Sequence, residues 1–305
     1  MIASDTAYPL LTRFDRHRHT EIKMTGFSAQ WLTLREPADH RARDQALQQR
    51  LCVQLTALAR TEQRVIRLID LGCGSGSNLR ALAAALPFAQ HWTLVDYDPL
   101  LLAAARAALL GWADRVVSDA GTLTLIKNNQ TIEIDFVQID LARDIERVLA
   151  WPADVITAAA FFDLVAEAWL VRFCQALRVT LYTVLTYDGT EQWLPPHPSD
   201  SAILKAFHAH QQTDKGFGVA AGPNAALIME RELTARGFGV TLAPSPWQID
   251  RSETAFIEAL ASGSAGAVRE TGLVEAAQVE QWLAARIAAE HCTVGHWDIM
   301  ATPNI

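Results

Sequence analysis

Short apolar runs alternate with longer amphipathic segments from Val65 onward. The apolar runs read VIRLIDL, WTLVD, IDFVQID, ADVITAAA and TLYTVLTY, and the segments between them include SNLRALAAAL, PLLLAAARAALL and FFDLVAEAWLVRFCQAL. Strands that are apolar along nearly their whole length are buried on both faces, and strands that alternate with helices pair in parallel. The pattern therefore predicts a doubly wound α/β fold whose mostly parallel sheet is covered by helices on both sides.

Antiparallel strands are predicted at two places. The stretch TLTLIKNNQTIEIDFVQID predicts a hairpin, because Asn128 and Asn129 tolerate the left-handed backbone of a tight turn. Near the C-terminus, a helix around 224–236 precedes a strand near 239–242, and one or two further helices precede a last strand in TVGHWDIMATP. Because helices separate these two strands without forming further parallel units, we expect a mixed sheet with an antiparallel edge.

Two further regions flank or interrupt the alternating block. Leu47, Leu51, Leu55 and Leu58 recur at helical spacing, which predicts an N-terminal helix over about 39–60 that packs on the sheet. Between about 189 and 223 the periodicity weakens into prolines, a short helical run and glycines, which is typical of an inserted lid. We therefore expect a helical cap over 1–64 and a core over 65–305 that carries the lid.

The strongest local signal is VIRLIDLGCGSGSNLR. An apolar run ends at Asp70, and a turn containing Gly72, Gly74 and Gly76 precedes a helix. Glycine lets the backbone turn sharply and approach a ligand closely, and a helix N-terminus offers free N–H groups. By itself, such a turn indicates only a nucleotide-like ligand.

The spacing of this turn separates two classes of ligand. Dinucleotide enzymes use G-x-G-x-x-G to place a pyrophosphate at the helix end, whereas this turn is G-x-G-x-G and follows Asp70. An acid at this position suits a positive amino group and would repel a pyrophosphate. Asp96 ends the next apolar run, about 20 residues after Gly76, where a carboxylate accepts both ribose hydroxyls. A ribose and an amino group without a phosphate describe S-adenosylmethionine.

LIDLGCGSG followed by LVDYDP resembles motifs one and two of the class I S-adenosylmethionine-dependent methyltransferases, and the likeness extends over about residues 65–188. The resemblance implies a Rossmann-like fold with a seven-stranded sheet. It also implies cofactor contacts from the glycine-rich turn and from the ends of the second, third and fourth strands. The residues at these places are Asp70, Gly72, Gly74, Gly76, Asn78, Asp96, Tyr97, Asp140, Leu141 and Ala158.

Candidate catalytic groups follow from the same layout. Methyl transfer needs alignment and an unprotonated nucleophile, and a base helps only when the acceptor is a hydroxyl, thiol or ammonium. The groups expected at the mouth of the sheet are Asp163 after the fourth strand, Tyr187 and Asp188 after the fifth, and His197, His208, His210 and Lys215 in the lid. From these we take Asp163, His208 and His210 as catalytic candidates. We predict no metal, because Asp163 and Asp188 lack the neighbouring Asp-Asn pair of catechol-type enzymes.

The segment WLTLREPADHRARDQAL precedes the sheet, where members of the resembled family often place a helix over the methionine end of the cofactor. It carries Trp31, Arg35, Arg41 and Arg43. An arginine here is a candidate partner for the cofactor's carboxylate. The alternative is a solvated helix face.

Charge and composition narrow the partners. The 305 residues carry a formal charge of -8 with a pI near 5.6, which disfavours nucleic acid. The chain shows neither a secretory signal pattern nor about 18 consecutive apolar residues, so no membrane partner is expected. Its dispersed Cys52, Cys73, Cys174 and Cys292 are typical of buried free thiols in the cytoplasm. We therefore expect a cytoplasmic methyltransferase with a small-molecule acceptor, and nothing in the sequence indicates its oligomeric state.

Three rival functions stay open at this point. A nicotinamide-dependent oxidoreductase is disfavoured by the glycine spacing. An aminopropyl-type transferase shares the cofactor geometry and would need a more acidic polyamine pocket. A noncatalytic adenosyl-cofactor-binding protein would carry the same binding motifs.

Overall fold

A computed structural model describes residues 28–214 and 216–304 of the chain. Its helices are α1 (Ala29–Ala42), α2 (Gln45–Glu62), α3 (Ser77–Ala83), α4 (Pro99–Trp112), α5 (Leu141–Leu149), α6 (Glu167–Ala176), α7 (Asp200–Gln211), α8 (Ala225–Ala235), α9 (Thr254–Thr271) and α10 (Ala276–Ile287). Its strands are β1 (Ile66–Leu71), β2 (Gln90–Asp96), β3 (Arg115–Ser118), β4 (Leu123–Lys127), β5 (Gln130–Gln138), β6 (Val155–Ala159), β7 (Thr180–Leu194), β8 (Phe238–Pro244), β9 (Trp247–Asp250) and β10 (His291–Pro303).

The ten strands form one sheet in the order β3-β4-β5-β2-β1-β6-β7-β10-β8, with β9 paired to β10. β5, β2, β1, β6 and β7 are mutually parallel. One face of the sheet packs against α2, α3, α4 and α9, and the other face packs against α5, α6 and α8. The predicted doubly wound, mostly parallel fold is therefore confirmed.

The sheet has more strands than predicted, and its predicted antiparallel edge is confirmed. The described sheet has ten strands instead of seven, and β10 lies inside it, antiparallel to both β7 and β8. β8 forms the edge and pairs antiparallel with β10. Ile299, Met300 and Ala301 of β10 are all buried, which fits a strand covered on both faces.

The hairpin prediction is confirmed. β4 and β5 pair antiparallel from Leu123–Ile134 to Lys127–Gln130, and Asn128 and Asn129 have φ values of 48° and 63°. The short strand β3 extends this side of the sheet. Its apolar residues Val116 and Val117 are exposed, so its sequence lacked the burial pattern that predicted the other strands.

Two helices replace the single N-terminal helix that was predicted over 39–60. Asp44 caps α2 by accepting a hydrogen bond from the backbone N–H of Leu47 at 2.7 Å, and this cap separates α2 from α1. Leu51 and Leu55 of α2 are buried in the same core as Leu68 and Trp92 of the sheet, so the packing of this segment on the sheet is confirmed. The cap and the sheet thus share one core. Within the described residues, no helix has the length and apolar character to cross a bilayer.

The segment predicted as a lid is held to the body of the protein at two places. β7 continues to Leu194 before α7 begins, and His210 of α7 contacts Glu270 of α9 with Nε2 3.0 Å from Oε2. Farther along, the Phe217 ring packs edge-on against Phe161 and Trp169, with centroids 5.8 and 5.6 Å apart. That this segment opens and closes over a site stays a prediction.

An antiparallel extension projects beyond the parallel strands. Residues 291–294 of β10 pair with the end of β7 on one side and with β9 on the other. A bulge at Gly295 separates this extension from the rest of β10. A Cβ atom on Gly295 would lie 2.0 Å from the Thr190 hydroxyl and 2.3 Å from the Asp188 carboxylate oxygens, so the bulge leaves no room for a side chain.

We expect Gly295→Ala to lower the free energy of unfolding by about 1 to 3 kcal/mol, because Asp188 and Thr190 must give up their packed positions. Gly266→Ala in α9 is the matched control, since a Cβ there meets no atom within 4 Å. In a helix that change stabilises by about 0.5 to 1 kcal/mol. Urea unfolding of both variants checks the pair, and equal stabilities would contradict it.

Candidate functional site

The carboxyl ends of the parallel strands meet at one edge of the sheet. Leu71 at the end of β1 pairs with Val95 of β2 and Ala158 of β6, and Asp96 ends β2 beside Gln138 of β5. The glycine-rich turn therefore lies next to the ends of the second, third and fourth parallel strands. The structure brings together the segments that the sequence motifs singled out.

The turn itself depends on left-handed backbone. Gly72, Gly74 and Gly76 have φ values of 61°, 52° and 75°, which disfavour any residue with a Cβ. A Cβ on Gly74 would lie 3.0 Å from Leu32 of α1, so α1 packs against the turn. At Gly72, a Cβ would lie 2.6 Å from the Phe161 ring. These two side chains, rather than open space, cover the turn in this structure.

Asp70 is fully buried directly before the turn. The Asn78 amide donates to Asp70 Oδ1 at 2.6 Å and to the Thr157 hydroxyl at 3.0 Å. An ionised carboxylate can only accept hydrogen bonds, so the Asn78 amide faces Asp70 with its nitrogen, and its oxygen points away from Asp70. Asp70 Oδ2 and Asn78 Oδ1 are both buried without a hydrogen-bond partner among the described residues. Two unpaired acceptors on side chains that bind each other suit a positively charged donor.

Burial raises the pKa of Asp70 to about 7. The Asn78 hydrogen bond and the charge of Arg43 work in the opposite direction, and the charge of Asp96 adds to the increase. Arg43 is itself buried, and its Nε and Nη1 have no hydrogen-bond partner in the described part of the chain. Unpaired donors therefore lie near the unpaired acceptors of Asp70 and Asn78.

Asp96 connects the second strand to the turn. Its Oδ2 accepts from the backbone N–H of Gly74 at 2.8 Å, and its Oδ1 accepts from the N–H of Asp98 at 3.0 Å. Burial raises its pKa, and these two backbone N–H groups oppose the increase. A carboxylate oxygen accepts more than one hydrogen bond, so both oxygens keep capacity for hydroxyl donors.

The remaining candidates for the cofactor side have structural contacts of their own. Asp140 caps α5 by accepting from the N–H of Ala142 at 2.9 Å. Leu141 is buried, and its carbonyl accepts from the Trp169 indole at 2.8 Å. Tyr97 is half-buried, and its carbonyl accepts from the Gln138 amide at 3.1 Å. Their roles toward a ligand stay predictions.

Asp163 lies in a 3₁₀ turn over Phe162–Leu164, directly after β6. Burial raises the pKa of its carboxyl to about 6, against the effect of Arg35 and of the backbone N–H of Tyr187. Its Oδ1 is buried and has no hydrogen-bond partner among the described residues. An acid of this kind is available to hold a ligand's proton near neutral pH.

The two candidate histidines of α7 are placed differently. His208 Nε2 lies 3.0 Å from the Tyr187 hydroxyl, next to β7, and burial lowers the pKa of His208. His210 instead contacts Glu270 at the α7–α9 interface. The structure therefore brings His208, Tyr187 and Asp163 to the mouth of the sheet, and we leave His210 out of the proposed acceptor site.

Other polar candidates from the sequence have local roles. Asp188 accepts from the N–H and hydroxyl of Thr190, each at 2.7 Å. His197 precedes α7, where its Nδ1 accepts from the N–H of Ser199 at 3.1 Å. Lys215 lies outside the described residues. Burial raises the pKa of Cys73 well above that of an ordinary thiol, so this sulfur is not a reactive thiolate.

The structure adds three residues that sequence reasoning missed. His296 of β10 pairs with Tyr187 in the sheet, and its ring centroid lies 4.7 Å from that of Trp247 in β9. Asp39 of α1 is buried and accepts from the Trp247 indole at 3.0 Å. The one available signal was the alternation of polar His296 and Asp298 within an otherwise apolar strand.

No protein-family model matches the chain, and no curated protein matches it. Solved structures that are similar include the SAM-dependent methyltransferase of Geobacter sulfurreducens in complex with S-adenosyl-L-homocysteine (17% identity, TM-score 0.39, covering 91% of this chain and 99% of that one). A SAM-dependent methyltransferase of Thiobacillus denitrificans, also in complex with S-adenosyl-L-homocysteine, has 15% identity and a TM-score of 0.41, and the match covers 90% of this chain and 99% of that one. YcgJ of Bacillus subtilis has 12% identity and a TM-score of 0.43, and the match covers 79% of this chain and 93% of that one.

The chain's own topology is more informative. Its central strands run in the order β5-β2-β1-β6-β7, with the glycine-rich turn after β1 and Asp96 at the end of β2. This is a class I methyltransferase fold. Within that fold, Asp70 lies in β1, Asn78 in α3 and Asp96 at the end of β2, and their roles toward a cofactor stay predictions.

We expect Asp70→Asn to stabilise the ligand-free methyltransferase fold at high pH but not at low pH. Because the pKa of Asp70 rises from 3.8 to about 7 on folding, the stability that Asp70 contributes is fully present below pH 3.8. It is lost as pH rises through 7. Asparagine does not titrate, so the variant gains on the order of 2 kcal/mol over the natural protein between pH 5 and pH 8.5.

Urea unfolding of both proteins at the two pH values checks this expectation. The titration of Asp163 changes the free energy of unfolding of both proteins equally, so it cancels in the difference between them. A stability difference that stays constant with pH would show that Asp70 is already ionised at pH 5.

Proposed function

We propose that this chain is an S-adenosylmethionine-dependent methyltransferase that acts on a small-molecule acceptor. The observation that supports this most is the pair of buried, unpaired acceptor oxygens on Asp70 and Asn78 at the end of β1. They suit a ligand's ammonium group. Asp96, at the end of the adjacent strand, suits a ribose diol.

The donor set fits the amino-acid end of S-adenosylmethionine. An α-amino acid presents an ammonium and a carboxylate on one carbon atom, so its binding site needs acceptors beside donors. Asp70 and Asn78 supply the acceptors, and the unpaired Nε and Nη1 of buried Arg43 supply the donors. Arg43 lies close enough to Asp70 for its charge to lower the pKa of that carboxyl. We therefore assign Arg43 to the carboxylate.

The adenosine end lies toward the second and third strands. Asp96 keeps accepting capacity on both oxygens beyond its bonds to Gly74 and Asp98. Tyr97, Asp140 and Leu141 follow the ends of β2 and β5 and remain our candidates for contacts to the adenine. Ala158, fully buried in β6 opposite Leu71, remains the candidate at the methyl end.

When bound, S-adenosylmethionine supplies an electrophilic methyl group on a positively charged sulfur. The chain's part is to align the acceptor and to remove its proton. Asp163, with a pKa of about 6, is mostly ionised at pH 7 and accepts a hydrogen bond from an acceptor N–H or O–H. His208 is held next to the Tyr187 hydroxyl and, with its lowered pKa, is neutral there.

The rival functions require different ligands at the carboxyl ends of the parallel strands. A nicotinamide-dependent oxidoreductase would place a pyrophosphate beside buried Asp70, where two negative groups would repel each other. A noncatalytic cofactor-binding protein would use the same contacts, and only a measurement of methyl transfer distinguishes it from an enzyme. The four described cysteines are free and buried, which supports the proposal that the enzyme works in the reducing cytoplasm.

We expect Asp96→Asn to weaken S-adenosylhomocysteine binding about tenfold, because the variant loses the charge that strengthens hydrogen bonds from the ribose hydroxyls. Titration calorimetry with S-adenosylhomocysteine and, separately, with NAD measures this. The natural protein should bind the first ligand and not the second.

Asp119→Asn is the matched control, because Asp119 is exposed and contacts only Arg106 among described side chains. It should leave the affinity within about twofold. Tight binding of NAD, or unchanged S-adenosylhomocysteine affinity in a folded Asp96→Asn variant, would contradict the assignment.

A further inference from the structure

A second group of polar side chains lies at the mouth of the sheet, apart from the residues assigned to the cofactor. The Arg35 guanidinium lies over the Trp247 ring at 5.8 Å, and the Trp247 and His296 ring centroids are 4.7 Å apart. The Tyr187 ring lies 6.1 Å from that of His296, and the backbone N–H of Tyr187 lies close enough to Asp163 to oppose the increase in its pKa. We call these five residues the Arg35 cluster.

Three buried polar atoms of the Arg35 cluster have no hydrogen-bond partner among residues 28–214 and 216–304. They are Arg35 Nε, Asp163 Oδ1 and His296 Nδ1. Arg35 Nε lies 3.0 Å from Asp39 Oδ2, so the two charges attract each other without the alignment of a hydrogen bond. An unpaired buried polar group is costly in a folded protein. Asp163 Oδ1 and His296 Nδ1 lack an ion pair as well as a hydrogen bond within the described residues, and these two atoms point to a ligand.

The charges of the cluster restrict what that ligand can be. Asp39 is engaged by Arg35 Nε and by the Trp247 indole. The two Nη groups of Arg35 and the carboxylate of Asp163 are then left to meet a ligand. A purely anionic acceptor would meet Asp163, and a purely cationic acceptor would meet Arg35. A molecule that carries both charges satisfies both residues.

Resting on the proposed methyltransferase function, we infer that the methyl acceptor is a small zwitterion, an α-amino acid or a close derivative of one. Its carboxylate pairs with Arg35, and its amino group donates to Asp163 Oδ1 and His296 Nδ1. Arginine and carboxylate form charge-assisted, often bidentate hydrogen bonds, and the faces of Trp247 and Tyr187 attract a cation by their π electrons.

His296 suits the amino group because it carries no charge of its own. Burial and the neighbouring Arg35 lower its pKa to about 3. A neutral imidazole nitrogen accepts a hydrogen bond from an ammonium or amine, whereas a protonated one would repel it. Asp163 then takes up the proton that the amino group must lose before it reacts.

The test compares each protein amino acid with two partial analogues, the amine that lacks its carboxylate and the acid that lacks its amino group. The full chain is incubated with S-adenosylmethionine, and S-adenosylhomocysteine and the methylated product are measured by mass spectrometry. We expect at least one amino acid to be methylated with a kcat/KM about tenfold or more above that of either analogue.

Variants of the Arg35 cluster identify which group each residue binds. Arg35→Gln should lower kcat/KM for the amino acid about tenfold or more and leave the amine analogue nearly unchanged. Asp163→Asn should impair both substrates. Arg60→Gln, at an exposed position of α2, is the charge-matched control and should change neither.

Equal turnover of the amino acid and an analogue, methylation of a neutral phenol instead, or an equal loss on both substrates in Arg35→Gln would overturn the inference. So would a protein that binds S-adenosylhomocysteine and methylates no amino acid. Failure to bind S-adenosylhomocysteine would overturn the proposed function instead. In that case, calorimetry of amino-acid binding to the natural protein and to Arg35→Gln still decides whether the Arg35 cluster holds a zwitterion.

Discussion

The fully buried carboxyl group of Asp70, near the end of β1, is the constraint on which the arrangement of the surrounding strands and helices depends. One amide, that of Asn78, binds Asp70 and the hydroxyl of Thr157, so β1, α3 and β6 are joined at a single point. Burial favours the neutral form of the acid, and the Asn78 hydrogen bond and a nearby positive charge both favour the ionised form. Arg43 supplies such a charge from the junction of α1 and α2. The position of these helices across the sheet therefore has an electrostatic reason as well as a hydrophobic one.

The parallel part of the fold could be predicted because its signals are local. Continuous apolar runs, the glycine spacing and the acids at strand ends are all visible within short windows, and Asn128 and Asn129 marked the hairpin for the same reason. The insertion of β10 between β7 and β8 depends instead on which distant strands pair, which no window contains. α1 was missed as a separate helix because it is mostly polar and contains Pro37. His296 was missed because its meaning comes from Tyr187 and Trp247, which are remote in sequence.

The two halves of the proposed site differ in the charged and hydrogen-bonding groups that they contain. The cofactor side concentrates acceptors, with Asp70 and Asp96 next to the turn and Arg43 as the compensating cation. The acceptor side mixes both signs among aromatic rings, with Arg35 and Asp163 left partly unpaired. Such a division lets the two ligands be recognised by separate contacts. His210 and Asp188 already have partners in Glu270 and Thr190, so our proposal assigns them to neither half.

Asp298 shows how late in the chain the site is completed. Its two oxygens accept from the backbone N–H groups of Asp44 and Leu185, each at 2.9 Å, so β10 joins the start of α2 to β7. The residues assigned to the cofactor fall between Arg43 and Ala158, whereas His296 belongs to the last described strand. During synthesis, domains form from the N-terminal side as the chain emerges. β10 must therefore leave the ribosome before His296 can pack against Trp247, the ring over which Arg35 lies.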